Sequence, residues 1–269
     1  MPTTMHERVA LDDGRETILE RWGLDGPAML CIHGMTSSRR SWSRLAEHLG
    51  SRYRIYAYDQ RGHGDFADCP APMTLAQCIA DAAAVARAIG EPIELLVGHS
   101  WGGAVALASA EQIEARGAIA IDPMLVQLPE RWYDEFLSEL ADLFSLHGEA
   151  RARSIRDAYA AWHPLDIEGK AHAVARMSLA PIVGLRDENP PSTWDLRARV
   201  LAYPLPLLLA LPNVEESIIP EESYRRLASG AARDTVVATL PGGDHNLQRT
   251  AFAPLIERID RWLMERGLP

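Results

Sequence analysis

The pentapeptide GHSWG at residues 98–102 follows an apolar run, ELLV (94–97), and leads directly into the small-residue stretch GAVALASA (103–110). β-Forming residues before it and an alanine-rich segment after it predict that a strand turns into a helix at Ser100. A residue at the tip of so tight a turn holds strained backbone, and the positions two before and two after crowd against it. Glycine at 98 and at 102 relieves that crowding. The turn lifts the serine hydroxyl off the end of the sheet. It also leaves the next backbone N–H at a helix N-terminus, where partial positive charge favours a developing anion. Ser100 therefore reads as a nucleophile.

On either side of this turn, strand-like and helix-like segments alternate. AMLCIHG (28–34) precedes SWSRLAEHLG (41–50), YRIYAYD (53–59) precedes TLAQCIADAAAVARAIG (74–90), and GAIAID (117–122) follows the helix after Ser100. This rhythm implies right-handed crossovers and a mainly parallel sheet with helices on both faces. Ahead of it, ERVAL (7–11) and TILERW (17–22) are separated by the turn signal DDG and predict an antiparallel hairpin. Between residues 124 and 200 the rhythm breaks into helices without strands, which predicts a helical cap subdomain. The alternation resumes with PLLLALP (206–212), the helix 220–229, the strand DTVVATLPGG (234–243) and a closing amphipathic helix, 253–267. The expected division is a core of residues 1–123 and 201–269 with the cap of 124–200 over the C-terminal edge of the sheet, where open α/β folds bind ligands.

Composition narrows the function classes. The chain has 269 residues, 47% hydrophobic and 24% charged, which suits one large globular domain. A formal charge of −10 without a long basic run argues against nucleic-acid binding. The first residues lack the pattern of a signal peptide, and the longest apolar stretch, LPLLLALP (205–212), is too short to span a bilayer. A soluble, cytoplasmic protein with no membrane partner is expected. Cys31, Cys69 and Cys78 show no C-x-x-C spacing, so neither disulfides nor a zinc site is expected. No metal or cofactor is called for, and a homodimer is left open.

Four motifs carry a family resemblance: CIHGM (31–35), YDQRGHG (58–64), VGHSWGG (97–103) and GGDHN (242–246). In this order they resemble the α/β-hydrolases, within the capped, single-domain esterase, lactonase and haloperoxidase-like group. The resemblance spans residues 9–263 and implies an eight-stranded sheet. It also implies that the backbone N–H of Met35, after the His-Gly pair, joins that of Trp101 in an oxyanion hole, and that His33 and His63 order their loops. Serine at the turn sets the chain apart from the haloalkane dehalogenases and epoxide hydrolases of similar fold, which use aspartate there.

A serine hydroxyl needs a base. Chain order in this fold is serine, acid, histidine, and of the nine histidines only His245 follows the last strand. His99 is expected to point away from Ser100. For the acid, the family usually places an aspartate in the loop after the strand corresponding to PLLLALP. Here that loop reads EESIIP (215–220), so Glu216 takes the aspartate's place, with Glu215 beside it. The rival is Asp122, directly after GAIAI. Glu216 is preferred on motif position, with Asp122 as the alternative acid.

These groups imply acyl transfer through an acyl-enzyme, and hence hydrolysis of an ester or lactone of a small, partly apolar molecule. Carbon–carbon bond cleavage or perhydrolysis by the same three residues is the alternative, and a non-enzymatic ligand-binding protein on this fold the second alternative. Cap aromatics, above all Trp132, Phe136 and Trp162, are candidates for covering the substrate. Tyr133, Phe144, Tyr159, Met177 and Trp194 are also candidates, although aromatics at helical spacing usually pack a core. Arg39 and Arg40 are weighed as contacts for a substrate carboxylate, with solvated neighbours of a helix start as the preferred reading.

Overall fold

The computed structural model describes residues 5–69 and 71–269. Its strands are β1 (Met5–Ala10), β2 (Glu16–Trp22), β3 (Ala28–Ile32), β4 (Arg54–Tyr58), β5 (Ile93–His99), β6 (Gly117–Ile121), β7 (Leu207–Leu211) and β8 (Thr235–Thr239). They form one sheet in the order β1-β2-β4-β3-β5-β6-β7-β8. β1 and β2 make the expected hairpin, β2 is antiparallel to β4, and every later pairing is parallel.

Three helices connect the first six strands: α1 (Ser43–Leu49), α2 (Leu75–Ile89) and α3 (Trp101–Ser109). Each of the inner strands β3, β6 and β7 is buried along its whole length, because helices cover both faces of the sheet. Alternation along a strand then sends successive residues to opposite cores. Leu30, Ile32, Leu96, Ala118, Ala120, Leu207 and Leu209 face the side that holds α2 and α3. Met29, Cys31, Leu95, Val97, Ile119, Ile121 and Leu208 face the other side, where α1 packs.

Between β6 and β7 run α4 (Glu130–Ser145), α5 (Gly148–Ala158), α6 (Pro164–Arg176), α7 (Ala180–Asp187) and α8 (Arg197–Leu201). The two ends of this excursion meet, for Leu196 N–H donates to Leu125 C=O at 2.8 Å and Val126 bridges Asp195. After β7 come α9 (Glu221–Gly230), then beyond β8 the short α10 (Leu247–Thr250) and α11 (Phe252–Glu265). Leu255, Ile256, Ile259, Trp262 and Leu263 form one buried stripe on α11, the spacing that seats a helix on a sheet.

No helix among the described residues is long and apolar enough to cross a membrane. The three cysteines are free and buried. No cluster of His, Cys, Asp and Glu among the described residues could hold a metal ion.

Candidate active site

Ser100 stands between β5 and α3 with φ 55° and ψ −122°, a backbone conformation that side-chain-bearing residues rarely adopt. The surrounding structure holds it there. Its N–H donates to Ile121 C=O at 3.0 Å, and its C=O accepts from Gly103, Ala104 and Met124 N–H at 2.9, 3.1 and 3.0 Å. The glycines of the motif are needed for a different reason from the expected crowding against the serine: a Cβ at Gly98 would overlap the Gly102 carbonyl, and one at Gly102 would overlap the carbonyls of Ile32 and His33. A Cβ at Gly34 would lie 2.9 Å from Ser100 Cβ, so the loop after β3 can press against the serine only because residue 34 lacks a side chain. Of the four non-glycine residues with left-handed φ among the described residues, three lie at this site: Thr36, Ser100 and Asp122. Such strain persists where packing over-determines the backbone, as it does around functional groups.

The structure does not bring the expected acid, Glu216, to His245. Glu216 and Glu215 are exposed, in a short turn after β7, and neither reaches His245. Asp122, the alternative, is fully buried at the end of β6, with its carboxylate 2.6 Å from His245 Nδ1. The reason is the strand order. β6 lies directly beside β5, pairing Ile121 with His99, so the residue after β6 is a neighbour of Ser100. The EESIIP segment turns its carboxylates outward and serves Asp122 instead. Ser217 Oγ donates to Asp122 Oδ1 at 2.5 Å and Ile218 N–H to Oδ2 at 3.0 Å.

His245 follows β8, and its carbonyl accepts from His99 Nε2 at 2.9 Å. The two imidazoles are tilted 41° with centroids 4.7 Å apart. His99 therefore does not simply point away, for it anchors the His245 loop and lines the same cavity as Ser100. Burial, followed by the nearby His245, holds its pKa well below the ordinary value. His33 is also committed: Nδ1 donates to Gly34 C=O at 2.8 Å and Nε2 accepts from Gln60 N–H at 3.0 Å. Burial lowers its pKa to about 4 and that of His63 to about 3. Both are neutral loop-ordering groups. No hydrogen bond joins Ser100 Oγ to His245 among the described residues, although both line one cavity. Such contacts often tighten only when substrate is bound.

That cavity has a volume of about 140 Å³. Ser100, His245 and Met35 line it together with the cap aromatics Trp132, Phe136 and Trp162. Tyr133 and Trp194 are buried elsewhere; Trp194 Nε1 donates to Met124 C=O at 3.1 Å and its ring packs edge-on against Trp101. Among the described residues, neither Met35 N–H nor Trp101 N–H donates to a protein acceptor. Both remain available to a ligand.

Thr36 and Lys170 are among the further lining residues that the sequence does not single out, while Tyr159 is named only among the general cap aromatics. Lys170 left one trace in the sequence: it sits on the buried stripe of its own helix with Asp166, Ala173 and Val174. Arg39 does not face a substrate. It is buried and ion-paired with Glu20, Asp59 and Asp65, while Arg40 is exposed.

With this geometry in hand, residues 29–258 match the model of the alpha/beta hydrolase family. Lipase LipV of Mycobacterium tuberculosis is 37% identical over 163 residues, 58% of this chain and 62% of that relative, so the matched region spans less than two thirds of its length. The pimeloyl-[acyl-carrier protein] methyl ester esterase of Xanthomonas oryzae pv. oryzae is 30% identical over 82% of this chain and 88% of its own. Among solved structures, a thermophilic esterase from Thermogutta terrifontis superposes with a TM-score of 0.74 at 20% identity, over 97% of this chain and 98% of that one. The match along most of the chain, on a sheet whose fifth strand ends in the strained Ser100, means that this protein belongs to the alpha/beta hydrolase family.

Proposed function

We propose that the protein is a serine hydrolase that cleaves a small carboxylic ester through an acyl-enzyme. The observation that carries this reading is the Asp122–His245 contact of 2.6 Å beside a cavity lined by Ser100. Asp122 accepts from Nδ1 and so fixes the imidazole tautomer, leaving Nε2 as the base. His245 Nε2 takes the Ser100 proton as Oγ attacks the carbonyl carbon. The oxyanion that forms accepts from Met35 and Trp101 N–H, donors already in place and in need of no reorganisation. Collapse expels the alcohol, which takes the proton from His245. Water activated by the same imidazole then releases the acid.

Ester rather than other acyl chemistry is supported by the esterase and lipase relatives. The helices of residues 124–200 act as a cap, with Trp132, Phe136 and Trp162 covering the substrate. A cavity of about 140 Å³ sets the scale: a void of about 150 Å³ in another protein holds one benzene. The substrate's enclosed part is therefore small.

The test pairs turnover of a short-chain p-nitrophenyl ester with labelling by a fluorophosphonate. Turnover with one label, located on Ser100 by peptide mass spectrometry, is the expected result. Absence of both turnover and label would overturn the reading in favour of a ligand-binding protein.

A further inference from the structure

The cavity that Ser100 lines also contains a buried lysine with no carboxylate in ion-pair contact among the described residues. Lys170 is only 5% exposed, on α6, and its ammonium donates to Thr36 Oγ1 at 2.8 Å and Thr36 C=O at 3.2 Å. An ammonium has three N–H donors, so these two bonds leave one unassigned. Lys170 forms no ion pair among the described residues, and it lines the cavity together with Ser100. Buried lysines are ordinarily paired, because desolvating a lone charge is unfavourable.

A second buried cation lies nearby, and the carboxylates whose charge it feels are Asp166 and Asp244. Arg249 is also buried, and its guanidinium is held by Ser37 Oγ at 3.0 Å, Asn246 Oδ1 at 3.1 Å and the face of Trp162 at 4.7 Å, with no carboxylate partner among the described residues. Thr36 and Ser37, the two residues after Met35, are thus each gripped by a cation. The negative group on the serine side, Asp122, is already committed to His245, Ser217 and Ile218.

The chain keeps Lys170 in this position by packing. A Cβ on Gly169 would lie 3.3 Å from the Arg40 carbonyl, so glycine there lets α6 approach the backbone after the Met35 loop. The Lys170 ammonium also lies 5.7 Å from the centre of the Tyr159 ring, which stacks on Trp162 at 4.1 Å. Aromatic walls keep water away and strengthen attraction to any anion that enters.

We infer that Lys170 is a specificity-determining residue that binds a carboxylate carried by the substrate itself, so that the preferred substrates are small half-esters of dicarboxylic acids rather than neutral esters. This rests on the serine hydrolase reading above and narrows its substrate class. The small cavity agrees, since an acyl chain that must reach from Ser100 to Lys170 inside about 140 Å³ is short.

The experiment compares two nearly isosteric substrates on the full chain: monoethyl succinate, which carries a carboxylate, and ethyl succinamate, which carries a neutral amide in its place. The expected result is a kcat/KM at least about tenfold higher for the half-ester, the size of effect that one charge-assisted contact supplies. In Lys170→Met that ratio collapses toward one, and in Lys170→Arg a preference for the half-ester returns. A strut that merely supported Thr36 would lower both substrates together and leave the ratio unchanged. Should Lys170→Met not fold, inhibition of the wild-type enzyme by succinate, compared with succinamide, reads the same charge preference. Equal kcat/KM for the two esters, or a ratio unmoved in Lys170→Met, overturns the inference while ester turnover and Ser100 labelling persist. Loss of turnover on every ester together with absence of label would instead overturn the parent reading.

Discussion

Asp122 and His245, 123 positions apart in the chain, meet at 2.6 Å because β6 is the neighbour of β5 and the loop after β8 folds back over both. Asp122 also receives Ser217 Oγ and Ile218 N–H. The segment in which the sequence places the acid thus supplies donors to a carboxylate from elsewhere in the chain.

Replacing Asp122 by Asn keeps the shape of the side chain but removes the carboxylate that fixes the imidazole tautomer. The expected loss in kcat is about 10⁴-fold, by analogy with the same change in another serine triad. Glu216→Gln, at an exposed position, should leave kcat within about twofold. Steady-state kinetics on one p-nitrophenyl ester checks both, and the opposite ranking would return the role to Glu216.

Ser100→Ala should abolish turnover and labelling with little change in stability, since the hydroxyl makes no hydrogen bond among the described residues. Ser100→Gly should also be inactive yet more stable than Ser100→Ala by about 1 kcal/mol. Glycine removes strain that is worth about 1–3 kcal/mol at a φ of 55°, less its greater freedom in the unfolded chain. Urea denaturation of the three proteins measures this order.

Gly102→Ala should destabilise by about 3 kcal/mol or more, because the added methyl would overlap two backbone carbonyls, Ile32 and His33, that cannot swing aside. Gly242→Ala, where nothing lies within 4 Å but φ is +83°, should cost only about 1 kcal/mol. Similar midpoints for the two variants would contradict the close approach of α3 to β3.

Burial lowers His33 to a pKa of about 4 and His63 to about 3, from an unfolded value near 6.5. Below about 6.5 the unfolded chain takes up protons that the folded one refuses, so stability falls with pH from about 6.5 toward 4. The fall begins above the range in which carboxylates titrate. Denaturation midpoints at pH 7, about 6 and about 5 test it, and a flat profile would mean that these rings are charged in the fold.

The half-ester preference should itself depend on pH. Burial, with a smaller push from Arg249, lowers the Lys170 ammonium to about 7. Below that value the group is a cation and attracts a carboxylate; above it the group is a neutral amine. The kcat/KM ratio of monoethyl succinate to ethyl succinamate should therefore decline about tenfold between pH 6 and 8. The ratio cancels groups common to both reactions. A constant ratio would mean that Lys170 does not titrate in this range.

Much of the architecture follows from the order of residues alone. Inner strands such as LLLAL and AMLCI are apolar throughout because both their faces are covered, and α11 repeats its apolar residues at helical spacing. The turn at Ser100 is legible in part for a local reason, since Gly98 is needed against Gly102 four residues on, whereas Gly102 is needed against the distant carbonyls of Ile32 and His33. The helical break between residues 124 and 200 and the histidine after the last strand are readable as interruptions of, or positions in, a local rhythm.

The choice between the two candidate acids, and the buried cation, were beyond such reading. Asp122 meets His245 across 123 positions, and Lys170 meets Thr36 across 134. Neither separation has a period, and an Asp-Pro after a strand or a lysine on a helix looks alike whether it faces solvent or a cavity. Local backbone chemistry is written in neighbouring residues, whereas the partner of a charge depends on which strand ends the folded sheet sets side by side. Ser100 and the strand–helix order belong to the first kind of information. The choice of Asp122 over Glu216, and the enclosure of Lys170 beside the serine, belong to the second.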